Sequence, residues 1–343
     1  MQMRLKERFQ NNYDFLRIFA AFCIIFFHSF ALLNKSEEDP LLQLSGGQLH
    51  FSFIGLSIFF CISGYLIAKS AVKSPTVINY LWKRLLRIQP LLIITCFFTI
   101  FFIGPLFTQL SLKDYFSNTE TYTYFRNILP VFGMQFTLPG VFMHHVDKGV
   151  NGSLWTLIVE ERMYLLMTLI FLYKKDKSKY FLGLMLIINI LYIINRYFFS
   201  GEILPYLSGA GFYYSLLFLN SASLYLLKFK FRKNQFLVIS ISFICFLSGI
   251  LFPQLNLVFF FALPVLVNSI AKLKGKLNFA GKYGDFTYGT YIFSFPVQQM
   301  LIAKGVNNPY YLFLITAIIA FSLAILSWNL IEYPFLKLKY KVK

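Results

Sequence analysis

Apolar residues run along this chain in long stretches, and shorter polar joints separate them. A helix needs about 20 mostly apolar residues to cross a bilayer, and by that rule the pattern predicts ten spanning helices. They cover residues 13–33, 50–70, 88–108, 153–173, 180–199, 205–227, 235–252, 254–271, 286–303 and 310–331. We therefore expect an all-α fold, a polytopic membrane bundle of about ten transmembrane helices that forms one domain over residues 1–343.

One joint is far longer than the others. It is the segment 109–152, rich in Tyr, Phe, Thr and Gly, which joins the third and fourth predicted spans on the outward side. Long ordered connections are usually functional, so we expect this segment to contribute to a site. No helix-and-loop unit repeats along the chain, which leaves an inverted-repeat transporter without support.

The composition is typical of a membrane protein. Of the 343 residues, 57% are hydrophobic and 13% are charged, whereas soluble domains have about 45–50% and about 25%. The four cysteines lie in apolar stretches without metal-ligand spacing, so we interpret them as ordinary buried thiols. The first apolar stretch is longer than the core of a signal peptide and contains ionisable groups, so we expect it to be retained.

Basic residues alternate between the two sides of the predicted bundle. With the N-terminus placed inside, 24 of the 32 Lys and Arg lie on the inner side, 6 lie on the outer side, and Arg17 and Arg162 lie within spans. Cytoplasmic loops concentrate Lys and Arg, so both termini are predicted to be cytoplasmic. Topology thus explains the net charge of +18, and we expect no nucleic-acid partner.

The first predicted span contains three ionisable residues on one side. At 100° per residue, Arg17 and His28 point within about 20° of each other, and Asp14 lies about 40° from the His28 direction. Ionisable groups in a membrane are costly, face the protein interior and are functional candidates by default. Two structural interpretations stay open: Asp14 and Arg17 can pair at i,i+3, and His28 can be a neutral histidine bonded to a carbonyl.

The fourth predicted span, "NGSLWTLIVEERMYLL" (151–166), holds further polar groups. Glu160 lies about 12 Å below its outer end, close to the depth inferred for His28, so the two could share one cavity. Consecutive glutamates point about 100° apart, so we expect at most one of Glu160 and Glu161 to face the site squarely and the other to pair with Arg162 or another cation.

The outer end of this span carries two ambiguous signals. Asn151-Gly-Ser153 matches a glycosylation sequon, but it abuts the membrane, so we expect it to form the turn and cap that open the helix. Trp155 fits a site residue and an interfacial anchor equally well.

On the inner side, "WKRLLRIQP" (82–90) places Arg84 and Arg87 next to each other on a helix. Two guanidinium groups suit a polyphosphate, and attraction to anionic membrane lipid explains basic residues there equally well. His144 and His145, in the long segment, lack the spacing of a metal site, so no metal is expected.

Six stretches, in consistent order over nearly the whole chain, resemble the acyltransferase family 3 membrane proteins, bacterial enzymes that O-acetylate surface polysaccharides. They are "YDFLRIFAAFCIIFFH", "FFCISGYLI", "WKRLLRIQP", "NGSLWTLIVEERMYLL", "FTYGTYIFSFPVQQ" and "NLIEYP". Arg17-x10-His28 and Arg84-x-x-Arg87 resemble the family's two marked motifs. One position departs, because Ser294 stands where many members have a histidine, and the role of that histidine is not carried over.

The resemblance implies an acyl-CoA-dependent O-acetyltransferase in the bacterial cytoplasmic membrane. Its donor would be acetyl-CoA, with no permanently bound cofactor, and its acceptor a surface polysaccharide or a lipid-linked glycan precursor. Catalytic roles would fall to His28, Glu160 and Arg17, and donor binding to Arg84, Arg87 and Arg17. The implied substrate-binding residues are Trp155, Tyr164, Asp14 and Asn151.

Two other classes of protein stay open. A proton-coupled transporter of a glycan-pathway metabolite would also place Asp, Glu and His inside its spans, where they form proton relays. A non-catalytic membrane component of a glycan assembly complex would share the topology. Acetyl transfer that depends on His28 and Arg84 would separate an enzyme from both.

Overall fold

The computed structural model of this protein describes residues 11–172, 177–198, 209–231, 234–252, 255–273 and 275–340. Within these ranges every regular element is a helix, and the bridge between Thr108 and Val141 is isolated. Several predicted features fall wholly or partly outside the described residues: the basic N-terminal tail, the Lys-rich joint after residue 172, the first residues of the span 205–227, parts of the joints near 233 and 274, and the last C-terminal lysines.

Each of the ten predicted spans overlaps a helix in the structure, in the same order along the chain. The bounds are α1 Tyr13–Ala31, α2 Phe51–Lys73, α3 Val77–Phe98, α4 Trp155–Leu166, α5 Lys177–Phe198, α6 Ala210–Leu226, α7 Gln235–Leu251, α8 Asn256–Ala271, α9 Thr287–Ala303 and α10 Pro309–Ser327. Helix α3 continues through a π-helical turn, Thr99–Ile103, to Phe107, and α10 continues through the π-helical turn Trp328–Glu332 to Lys337.

Among the described residues, five helices are long and apolar enough to cross a membrane. They are Tyr13–Ala31, Phe51–Lys73, Val77–Phe107, Ser178–Arg196 and Pro309–Lys337. Helices α4, α6, α7, α8 and α9 have 12 to 17 residues, so the longest of them rises about 26 Å at 1.5 Å per residue. The protein is therefore a helical membrane protein, and the number of ten transmembrane helices stays a prediction.

The start of α3 differs from the sequence prediction. The helix begins at Val77 rather than near residue 88, and Pro90 lies inside it. The basic stretch 82–90 is therefore helical, and Arg84 and Arg87 lie one turn apart on α3. Apolar periodicity alone placed the start too late, because the first turns of α3 are polar and basic.

The described residues form two compact units, and the prediction of a single domain stays untested. The first unit comprises the residues up to Arg17, Leu56–Leu81 and Arg162–Tyr283. In it α8 packs against α6 and α7. Buried amides are paired there: Asn189 and Asn220 exchange hydrogen bonds of 2.9 and 3.2 Å, as apolar surroundings require of polar groups.

The second unit comprises Ile18–Gly55, Trp82–Glu161 and Gly284–Lys343. Helices α9 and α10 pack closely along their length, and Gly289 permits this because a Cβ there would lie 2.8 Å from the Cα of Ala324. Aromatic side chains of α1 pack on α10, with ring centroids of Phe26 and Phe313 5.1 Å apart. This unit contains most of the residues that the sequence singled out.

Candidate functional site

His28 lies near the C-terminal end of α1 and is half-buried. Its ring centroid is 5.3 Å from that of Phe295 on α9 and 5.6 Å from that of Phe27. The ring of Phe27 also lies 4.6 Å from that of His50. His28 and His50 thus lie against the same ring, that of Phe27, and His50 was not predicted from the sequence.

Phe295 connects His28 with the beginning of α4. The ring is almost fully buried, and a Cβ added at Gly152 would lie 2.7 Å from its edge. Only a glycine allows so close an approach. The turn that opens the fourth predicted span and His28 therefore pack against the same aromatic ring.

Asn151 forms the turn that the sequence predicted. Its side chain is buried; Nδ2 donates to the carbonyl of Ile292 at 3.0 Å, and Oδ1 accepts from the hydroxyl of Ser153 at 2.7 Å. Both the nitrogen and the oxygen of this buried amide are hydrogen-bonded, which speaks against a glycosylation site. The expected helix cap is wrong in one respect, because Oδ1 accepts from a side-chain hydroxyl and makes no capping bond to a backbone N–H.

Gln299 of α9 forms hydrogen bonds with the long segment 109–152. This side chain is buried, and its Nε2 donates to the carbonyls of Asp147 and Gly149, each at 2.6 Å. Its Oε1 lies 2.8 Å from Nδ1 of His145. His145 therefore has a structural contact, and within the described residues no three His, Cys, Asp or Glu side chains cluster as a metal site.

The same segment folds back along α3. The hydroxyl of Tyr115 donates to the carbonyl of Ile100 at 2.9 Å, and the ring of Phe125 lies 4.8 Å from that of Phe97. At 1.5 Å per residue, Phe97 is about 15 Å along α3 from its end at Phe107. Part of the predicted outward segment thus runs alongside the predicted third span, which the sequence did not indicate.

Glu161 of α4 binds the long segment 109–152 at Val131. It is buried; Oε2 accepts from the backbone N–H of Val131 at 2.9 Å, and Oε1 accepts from Nε2 of Gln89 at 2.7 Å. We expected one of the paired glutamates to bind a cation such as Arg162, but these partners of Glu161 are neutral donors. Arg162 itself is exposed.

The return path of the segment is short. Residues 133–138 have no regular structure, and six residues reach at most about 20 Å, enough to return to the end of α3. There the N–H of Gln109 donates to the carbonyl of Gly140 at 3.0 Å. Asn127 bonds both the N–H and the carbonyl of Gln135, at 2.8 and 2.7 Å. Non-helical backbone at membrane depth has to be satisfied in this way or line a wet cavity.

Arg87 lies in a buried ion-pair cluster. Its guanidinium donates to Asp285 at 2.7 Å and to Glu332 at 3.2 Å. The hydroxyl of Ser327 donates to the other oxygen of Glu332 at 3.2 Å. Neither acid was predicted from the sequence: Asp285 precedes the stretch "FTYGTYIFSFPVQQ", and Glu332 lies within "NLIEYP", for which only a resemblance was noted.

The remaining predicted residues have these places. In the first unit, Asp14 and Arg17 form the i,i+3 ion pair, at 3.5 Å, that the sequence left open. Tyr164 is buried, and its backbone carbonyl accepts a hydrogen bond from the hydroxyl of Tyr80 at 3.1 Å. In the second unit the following are half-buried: Arg84, Trp155 and Glu160. A cavity shared by His28 and Glu160 stays a prediction.

Comparison with known proteins gives three findings. A family model described as an acyltransferase domain matches residues 10–328. The O-acetyl transferase of Shigella phage Sf6 is 29% identical over 340 residues, which cover 95% of this chain and 96% of that protein. Nodulation protein 10 of Rhizobium leguminosarum bv. viciae is 28% identical over 356 residues, covering 96% and 94%. No solved structure gives a significant match.

Proposed function

Because the chain belongs to the acyltransferase 3 family, we propose that it is a membrane O-acetyltransferase. The proposed donor is cytoplasmic acetyl-CoA, and the proposed acceptor is a hydroxyl of a surface polysaccharide or of its lipid-linked precursor. The similarity to a phage O-acetyl transferase over nearly the full length of both chains supports this reaction. We place the protein in the bacterial cytoplasmic membrane with both termini inside, on the alternation of its basic residues.

The observation that carries the proposal is the half-buried imidazole of His28 near the end of an apolar helix. We propose that His28 takes the proton of the acceptor hydroxyl while that oxygen attacks the thioester carbonyl. The carbon–sulfur bond then breaks, and CoA leaves as the thiol after taking up a proton. General-base catalysis of this kind typically contributes 10²–10⁴-fold. In the alternative, His28 itself becomes acylated and passes the acetyl group on.

Arg84 and Arg87 are the proposed binding residues for the phosphates of the donor. A guanidinium has five N–H donors, and the bonds to Asp285 and Glu332 occupy one on each terminal nitrogen. The two carboxylates fix the position of Arg87, and we propose that its guanidinium group also binds a phosphate of the donor. Arg84, one turn earlier on α3, would supply the second fork of donors.

The other predicted residues receive supporting roles. Glu160 would orient or charge-balance the imidazole, as carboxylates do for catalytic histidines, and Arg17 would support the donor. The proposed acceptor side includes Trp155 and the segment 109–152, with Asn151 acting through the turn that it forms. Asp14 and Tyr164 are proposed to contact substrate.

The test is transfer of radiolabelled acetyl from acetyl-CoA to glycan by the purified protein. We expect His28→Ala and Arg84→Ala to abolish transfer, and His144→Ala, which changes an exposed histidine of the long segment, to retain it. Full transfer by His28→Ala would overturn the catalytic assignment. Wild-type protein that transports a solute but transfers no acetyl would favour the transporter instead.

A further inference from the structure

Gln298 of α9 is fully buried and binds the part of α1 that contains His28. Its Nε2 donates to the carbonyl of Ile25 at 2.9 Å and to the hydroxyl of Ser29 at 2.7 Å. These residues lie three positions before and one position after His28. The amide nitrogen has therefore used both of its hydrogens within α1.

The amide oxygen is different, because no described residue donates a hydrogen bond to Oε1 of Gln298. An unsatisfied buried acceptor is rare in proteins and costs the desolvation of the group. Turning the amide over does not solve the problem, since it would aim the oxygen at the carbonyl of Ile25, and two acceptors cannot bond each other. The orientation is fixed, and the oxygen needs a donor from elsewhere.

The location of this oxygen indicates which donor it meets. Phe295, against which His28 packs, lies one turn before Gln298, and residues three apart are neighbours on a helix surface. Helix α9 thus presents a ring to His28 and an amide to the residues that flank it. The unsatisfied acceptor belongs to the surroundings of the proposed general base.

We propose that Oε1 of Gln298 accepts a hydrogen bond from a hydroxyl group of the glycan acceptor. This inference rests on the proposed function. A sugar carries several neighbouring hydroxyls, so one can donate to Gln298 while another gives up its proton to His28. Gln298 then selects which hydroxyl is acetylated, and it is a binding and specificity residue that takes no part in proton transfer.

The test uses full-length protein in proteoliposomes, with glycan from a strain that lacks this gene as the acceptor. Gln298→Met, which keeps the volume and removes the amide, is expected to raise KM for the glycan about tenfold, as the loss of one hydrogen bond does. KM for acetyl-CoA and the slow hydrolysis of acetyl-CoA without glycan are expected to stay unchanged. Ser29→Ala, which removes a partner of Nε2 and leaves Oε1 in place, is the matched control and is expected to keep the normal KM.

Two other outcomes would overturn the proposal for Gln298, and a third would refute the proposed function. If Gln298→Met lowers the thermal midpoint and changes no kinetic constant, the oxygen binds a structural water and the proposal is wrong. If Gln298→Met does not fold, Gln298→Asn, which withdraws the oxygen by one methylene, replaces it, and an unchanged KM for glycan overturns the proposal. A wild-type protein without acetyl transfer would instead refute the proposed function.

Discussion

Replacing Arg87 by methionine would remove the guanidinium group that pairs with two buried carboxylates, those of Asp285 and Glu332. The side chains of Asp285 and Glu332 are 9% and 2% exposed, and that of Arg87 is 20% exposed. Removing one partner of a buried ion pair typically costs about 3–5 kcal/mol, because the remaining charge is no longer compensated. We therefore expect Arg87→Met to lose about that much stability although methionine fills most of the space.

A second substitution tests whether charge is the cause. Adding Glu332→Gln to Arg87→Met removes one of the two buried acidic charges, and the glutamine oxygen can still accept from Ser327. We expect the double variant to recover about half of the loss, a coupling within the range of contacting residues. The measurement is the thermal midpoint of the purified protein in detergent, and the expected order is wild type, double variant, single variant.

The same variants test the proposed role of Arg87 in donor binding. A ligand at 100 times its Kd stabilises a protein by about 2.7 kcal/mol, so acetyl-CoA should raise the midpoint of the wild type. If Arg87 binds a phosphate, acetyl-CoA should not raise the thermal midpoint of either variant. This should hold even for the double variant, which is expected to be the more stable of the two. A single variant as stable as the wild type would refute the reasoning from buried charge.

Three further predictions concern the second unit. Glu161→Ala should cost about 1–3 kcal/mol by leaving the N–H of Val131 without its acceptor, and faster hydrogen exchange at Val131 and Phe132 would show it, whereas Glu161→Gln should exchange like the wild type. Gly152→Ala should push the ring of Phe295 aside at a cost of about 1–3 kcal/mol and reduce acetyl transfer more than acetyl-CoA binding; equal transfer would contradict the packing. Gln299→Leu should detach residues 145–149, so limited proteolysis should cut there first, and resistance equal to that of the wild type would speak against the contact.

Apolar runs predicted the helices well, because each run that can bury itself in lipid also forms a helix here. They predicted the ends less well. The start of α3 was missed since its first turns are polar, and α4 proved shorter than its predicted span because a 3₁₀ turn, Met167–Leu172, follows it. The path of residues 115–132 could not be predicted, since it depends on tertiary contacts such as Phe97 with Phe125.

The candidate site was predictable where one helix contains all its parts. The helical spacing indicated that Arg17 and Asp14 could pair, and the structure shows that pair. Partners distant in sequence left no local signal. Asp285, which binds Arg87, lies 198 residues away from it, and His50 precedes α2 whereas His28 lies in α1. The unsatisfied oxygen of Gln298 is a property of the folded chain alone.

Within the long segment 109–152, residues 109–140 form a closed insert, because the N–H of Gln109 donates to the carbonyl of Gly140 at 3.0 Å. Gly140, with a φ of +71°, takes a backbone conformation that suits glycine. Lengthening such a closed insert adds only about 0.6 kcal/mol for each doubling. We therefore expect an insertion between these two residues to be tolerated while the helices outside the closure keep their packing.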